Sequence, residues 1–144
     1  MILYHGSTME VSQPRILHSE IGRDFGFAFY TTDIQAQAER WARRRAMIES
    51  RRTKTEIQAI VSVYEWDDSA AKHLQFLQFD GVSMEWLELV VTCRSRTDYS
   101  HGYDIVEGKI ANDNVGETVS YVMQGIMRKE DAIERLRFER INNQ

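Results

Sequence analysis

Cysteine and proline are nearly missing, with one of each in 144 residues. A lone Cys93 forms no intramolecular disulfide and has no second cysteine at metal-ligand spacing, which excludes a disulfide scaffold and agrees with a reducing compartment. The thiol is expected to be inert helix packing. No apolar run reaches the roughly 18 residues of a spanning helix, and the opening residues lack a basic-then-apolar leader. The expected address is therefore the cytoplasm, with no membrane involved. Histidine is also scarce: His5, His18, His73 and His101 show no i,i+4 pairing and no cysteine company, so no metal is expected. "GRDFGFAF" has neither the spacing nor the lysine of a P-loop. Internal repeats, low-complexity tracts and long linkers are absent as well.

What is present fits one compact domain spanning residues 1–144. Hydrophobic residues make up 42% and charged residues 28%, and a chain of this size buries roughly 70% of its unfolded surface. The formal charge of −4 argues against a general nucleic-acid coat, but the charges are uneven. Arg40, Arg43, Arg44, Arg45, Arg51, Arg52 and Lys54 face only Glu49 between positions 40 and 54. Such a patch reads either as a solvated helix face or as an electrostatic guide for RNA, DNA or another phosphate-rich ligand.

The pattern of elements is mixed. Ile2 to Tyr4 reads as a short strand, and Phe27 to Thr31 as another, rich in aromatic residues. Asp33 is placed to cap a helix in which Ile34, Ala38, Trp41 and Ile48 recur at near-helical spacing. Residues 57–64 alternate so that Ile57, Ala59, Val61 and Val63 share one face of a strand. "HLQFLQFDG" reads as a strand closed by an Asp-Gly turn. Ser83 is placed to cap a helix from Met84 to Arg94, with Glu85 in its first turn. A strand over Tyr103 to Ile110 follows, then a helix carrying Val115, Val119, Val122 and Ile126, then a helix over Glu130 to Phe138. Strands interrupted irregularly by helices favour an α+β architecture over repeated βαβ units.

Two clusters carry the chemistry. "LYHGST" and "RDFGFAFYTT" each set a ring-bearing residue beside glycine and hydroxyls at a strand end. Glycine lets a ligand approach the backbone, and histidine donates or accepts hydrogen bonds near neutral pH. Together with "IQAQAERWARRR", "FLQFDGVSMEWLELV" and "YDIVEGKIANDNV", in that order, these stretches resemble an uncharacterised bacterial family of the ADP-ribosyltransferase superfamily. The likeness covers nearly the whole chain and points to the branch with a histidine, tyrosine and glutamate (or substitute) pattern, as in the poly-ADP-ribose polymerases and diphthamide-modifying toxins.

The resemblance implies a single ADP-ribosyltransferase-like domain, with split antiparallel β-sheets flanked by helices. It also implies NAD as substrate. His5 would bond the ribose on the adenosine side, Tyr30 would stack on nicotinamide, and the Gly6 backbone would bond its carboxamide with Ser7 assisting. Tyr4, Phe25, Gly26, Phe29 and Thr31 complete the implied NAD site, and Arg15 or Arg23 would meet its phosphates. The chain departs from the family's pattern at Ala28, where glycine is usual. The third catalytic position falls on Gln144 of "RINNQ", with Glu107, Glu117 and Glu139 as alternatives if a carboxylate is required. The strand expected after it is missing, so the domain reads as truncated at its C-terminus. The implied activity is ADP-ribose transfer or NAD hydrolysis by a bacterial toxin or defence effector. An unknown macromolecular acceptor is expected, and so is an antitoxin-like or strand-completing partner or a second copy. The alternatives are a catalytically inactive nucleotide-binding module, or a nucleic-acid-binding or interaction domain working through the Arg40 to Lys54 patch.

Overall fold

The computed structural model describes residues 1–16, 24–96, 98–108 and 113–138, with the side chains of 113, 114, 137 and 138 excepted. The described chain is mixed α+β, with four α-helices and two two-stranded sheets. It divides into two compact units, one of Met1–Ile16 with Phe29–Ala70, the other of the described residues within 17–28 and 71–143.

The first unit holds β1 (Ile2–Ser7), α1 (Gln35–Thr53) and β2 (Ile60–Glu65). The two strands run antiparallel, from Ile2↔Glu65 to Ser7↔Ile60. Helix α1 packs on them through a narrow stripe of Ala38, Ala42 and Ala46, which are 2%, 0% and 7% exposed. Gly6 lets the helix come so close that a Cβ there would lie 2.1 Å from the Ala38 carbonyl oxygen. Small residues on both sides make this contact, so Trp41 and Ile48, which recur with Ala38 at near-helical spacing, remain 38% and 46% exposed. The helix start also differs from expectation. Ile34 occupies the cap position without a side-chain bond, while the Thr32 hydroxyl accepts from the Ile34 N–H at 3.1 Å and donates to Gln37 at 2.5 Å. Thr32 does this because its main chain is already pinned to β1 in an isolated bridge with Tyr4. Asp33 is left exposed.

Strand β2 starts later than expected and is turned over. Ser62 is buried at 7%, whereas Val63 is 60% exposed. The Ser62 hydroxyl accepts from the Val11 N–H at 3.0 Å, which satisfies the buried polar group and fixes that face inward. The aromatic run from Phe27 to Thr31 is not a strand; regular pairing is confined to the bridge at Thr32.

The second unit holds β3 (Phe76–Gln78), α2 (Met84–Ser95), β4 (Ile105–Glu107), α3 (Asp113–Met123) and α4 (Lys129–Phe138). The sheet is parallel, Phe76↔Ile105 to Gln78↔Glu107, where an antiparallel pairing was expected. A helix between two strands supplies the long crossover that parallel neighbours need. Strand β4 is three residues long, shorter than the predicted span. Ser83 caps α2 as expected, its hydroxyl accepting from the Trp86 N–H at 3.1 Å. The core joins Trp86, Leu87, Leu89, Val90 and Cys93 of α2 with Val115 and Val119 of α3 and Ala132, Ile133 and Leu136 of α4. Burial pushes the Cys93 thiol up to about 11, so the thiol stays protonated and behaves as core. Ile126, expected on the α3 face, lies beyond the helix and is 68% exposed.

Candidate functional site

The site is built from strand parity. Tyr4 exchanges both backbone bonds with Thr32, at 2.8 and 2.9 Å, so its N–H and C=O point away from β2. In an antiparallel ladder this direction alternates residue by residue. Leu3, His5 and Ser7 therefore bond towards β2, and Gly6 directs its N–H and C=O to the same outer edge as Tyr4. Continuing the Tyr4–Thr32 register by two residues sets Tyr30 opposite Gly6. Gly6 is buried, yet its peptide groups on this edge meet no partner among the described residues. Buried main-chain groups of this kind ordinarily have a partner, whether protein, water or ligand.

The Tyr30 carbonyl is used differently: it accepts a bond from His5 Nδ1 at 2.7 Å. Because a carbonyl only accepts, the proton sits on Nδ1. In the neutral ring Nε2 then carries a lone pair, and on protonation it becomes a second donor. The imidazole is also held by stacking on Phe29, with ring centroids 4.2 Å apart and planes 28° apart. Phe29 in turn meets the edge of Tyr64 at 5.9 Å and 86°, and the Tyr64 hydroxyl donates to the Val11 carbonyl. His5, Phe29 and Tyr64 thus form one aromatic wall, clamped at its far end by the loop at Val11. Tyr64 and Ser62 were not singled out from sequence. The signal was available, since pairing of His5 with Ser62 and Leu3 with Tyr64 puts them on the imidazole's face.

The first unit therefore brings together His5, Gly6, Phe29 and Tyr30, with Tyr4 adjacent in the bridge, Thr31 between Tyr30 and the bridging Thr32, and Ser7 at the strand end opposite Ile60. Phe25 and Gly26 belong to the second unit. Phe25 is 5% exposed and stacks on Phe79 at 6.4 Å, which makes it a core residue. Gly26 has φ +79 and would place a Cβ 3.7 Å from Cys93 Sγ. Next to them Asp24, 4% exposed, accepts from Arg94 Nε at 2.6 Å, a buried ion pair joining this segment to α2. Gln144, Glu139 and Arg23 lie outside the described residues. Glu107 is on β4, and Glu117 on α3 accepts from the Tyr121 hydroxyl at 2.5 Å; both belong to the second unit. Arg15 is exposed in the first.

A separate hollow of about 550 Å³ in the second unit is lined by Leu77 to Ser83 and Glu85. Among the described residues no cluster of three histidine, cysteine or carboxylate side chains is placed to hold a metal ion, and no helix is long and apolar enough to cross a membrane.

Residues 1–144 match the family described as a protein of unknown function, DUF3990, and the chain belongs to that family. No curated protein and no solved structure matches it.

Proposed function

We propose that this chain binds NAD at the His5–Gly6–Tyr30 site and cleaves the bond between nicotinamide and ribose, passing ADP-ribose to an acceptor or to water. The observation that carries the reading is the peptide edge of Gly6, which meets no partner among the described residues and faces the register position of Tyr30. A carboxamide offers one acceptor oxygen and one donor NH₂, which is the complement of the C=O and N–H that a single strand residue presents on its edge. The nicotinamide group fits that edge, and a tyrosine ring at position 30 is the type of apolar, flat surface that a weakly hydrated heteroaromatic ring covers. With Nδ1 committed to the Tyr30 carbonyl, Nε2 of His5 is the atom left to meet a ribose hydroxyl.

In the reaction, the electron pair of the C1′–N1 bond leaves with nicotinamide, neutralising its ring charge. The ribose carbon passes through an oxocarbenium-like state, an acceptor oxygen bonds to C1′, and its proton is released. The chain's contribution is orientation of the dinucleotide and stabilisation of developing charge. Gln144 remains the proposed third position. A cytoplasmic toxin or effector role, a macromolecular acceptor and an antitoxin-like or strand-completing partner belong to the same proposal.

The experiment is to incubate the purified chain with NAD and follow nicotinamide release chromatographically. Release that falls at least 100-fold in His5→Ala supports the assignment, since positioned groups of this kind contribute about 10²-fold or more. An unchanged rate in that variant removes it. Binding of NAD without turnover keeps the binding site and dismisses the transferase.

A further inference from the structure

The solvent face of α1 is not explained by the site, which lies at the sheet. Projecting residues at 100° per position puts Arg40, Arg44, Met47, Ile48 and Arg51 on the stripe opposite the buried alanines. Arg40, Arg44 and Arg51 are exposed and have no acidic partner among the described residues, whereas Arg43 pairs with Glu39 and Arg52 with Glu49. Lys54 ends the row in a left-handed C-cap. Met47 and Ile48 are 48% and 46% exposed between the arginines, and Trp41, one helical heptad before Ile48, is 38% exposed.

Helix stability does not account for this placement. Cations near a helix C-terminus complement its dipole, which covers Arg51 and Arg52. Arg40 and Arg44 are the sixth and tenth of the helix's nineteen residues, beyond the terminal turns where the dipole acts, so it gives them no stabilising role. The chain's net charge is −4, so this stripe reverses the sign of the molecule locally.

We infer that the outer face of α1 binds single-stranded nucleic acid. Arg40 and Arg44 stand about 6 Å apart along the axis, with Arg51 about 10 Å further, spacings that one to three nucleotides of a strand can follow. The half-exposed Trp41 and the Met47–Ile48 shelf supply the flat and apolar surface on which unpaired bases rest, which a duplex keeps inside its stack. Arginine ladder and aromatic platform together are the two elements of sequence-tolerant single-strand binding. This inference is independent of the proposed enzyme activity and stands or falls separately.

The test is fluorescence anisotropy with a labelled 12-nucleotide RNA, and its DNA equivalent, on the full chain from 25 to 200 mM salt. Four phosphate contacts predict a log–log slope of about −2 to −3 and a dissociation constant of about 10⁻⁶ to 10⁻⁴ M. The triple variant R40A/R44A/R51A, whose side chains are exposed and whose fold circular dichroism verifies, loses at least tenfold in affinity and flattens the slope by about 2. Trp41→Leu weakens binding about tenfold at unchanged slope. The inference is overturned by a wild-type slope shallower than −1, by equal binding of the triple variant, by tighter binding of the matching duplex, or by displacement of the RNA with phosphatidylglycerol vesicles.

Discussion

Replacing Gly6 by alanine introduces a single carbon into a contact made of main chain. The new Cβ would stand 2.1 Å from the Ala38 carbonyl oxygen and 2.9 Å from the Ala42 nitrogen, against an ordinary contact of 3.4 Å or more. No rotamer relieves this, because the obstructing atoms belong to the helix backbone. Helix α1 has to retreat by about 1.3 Å from the strand, and the seal made by Ala38, Ala42 and Ala46 opens. Overpacking costs 1–3 kcal/mol where side chains can yield, and here the upper end applies, about 3 kcal/mol. Restricting the unfolded chain returns about 0.4–1 kcal/mol, which leaves a net loss of about 2–2.6 kcal/mol. With a urea m-value of roughly 1.5 kcal/mol/M, the midpoint falls by about 1.3–1.7 M at unchanged m. Tryptophan fluorescence, to which Trp41 and Trp66 of the same unit contribute, reads the transition. Gly81→Ala is the control, since nothing lies within 4 Å of a Cβ there. A Gly6→Ala midpoint within about 0.3 M of wild type would refute the close approach of α1 to β1.

Further outcomes concern the second unit. Asp24→Ala leaves Arg94, 21% exposed, without its buried carboxylate and lowers stability by about 3 kcal/mol in urea unfolding; a loss below about 1 kcal/mol argues that water already satisfies the guanidinium. Thr118 is fully buried and its hydroxyl has no hydrogen-bond partner among the described residues, so Thr118→Val raises stability by about 1 kcal/mol. A lower melting temperature for that variant points to a partner of the hydroxyl. The raised Cys93 thiol, caused first by burial and then by the Asp24 charge, resists iodoacetamide at pH 8 and is labelled only on unfolding. Because the folded state holds this group neutral up to about 11 while the unfolded thiol ionises near 9, stability declines as pH rises through that window. A native protein alkylated within minutes at pH 8 contradicts this.

Legibility in the sequence followed how local the deciding interaction is. The cap at Ser83 and the helix after it, and the centres of α3 and α4, are set by neighbours within a few residues, and they were read correctly. The packing face of α1 was not, because Trp41 and Ile48 outweigh three alanines in any count of hydrophobicity, and only the glycine on another strand makes the alanine stripe the better contact. The inverted face of β2 has the same origin. Ser62 goes inward to meet Val11, 51 positions away. The parallel pairing of β3 with β4 depends on where α2 returns the chain, which no dipeptide signals. Of the candidate site, the grouping of His5, Gly6, Phe29 and Tyr30 in one unit was legible from two strand-end motifs. That Phe25 and Gly26 fall in the other unit was not legible, since the run from Phe25 to Tyr30, interrupted only by Ala28, gives no sign of where one unit stops and the next begins.

The hydrogen on the His5 ring is placed by a peptide oxygen, and a peptide oxygen is common to every amino acid. Exchanging Tyr30 for phenylalanine or leucine alters the surface offered at that position while leaving the imidazole in the same tautomer. Substitution can thus remodel what lies against residue 30 without moving the hydrogen between the two nitrogens of residue 5, so the two properties are separable by mutation although the residues that carry them touch.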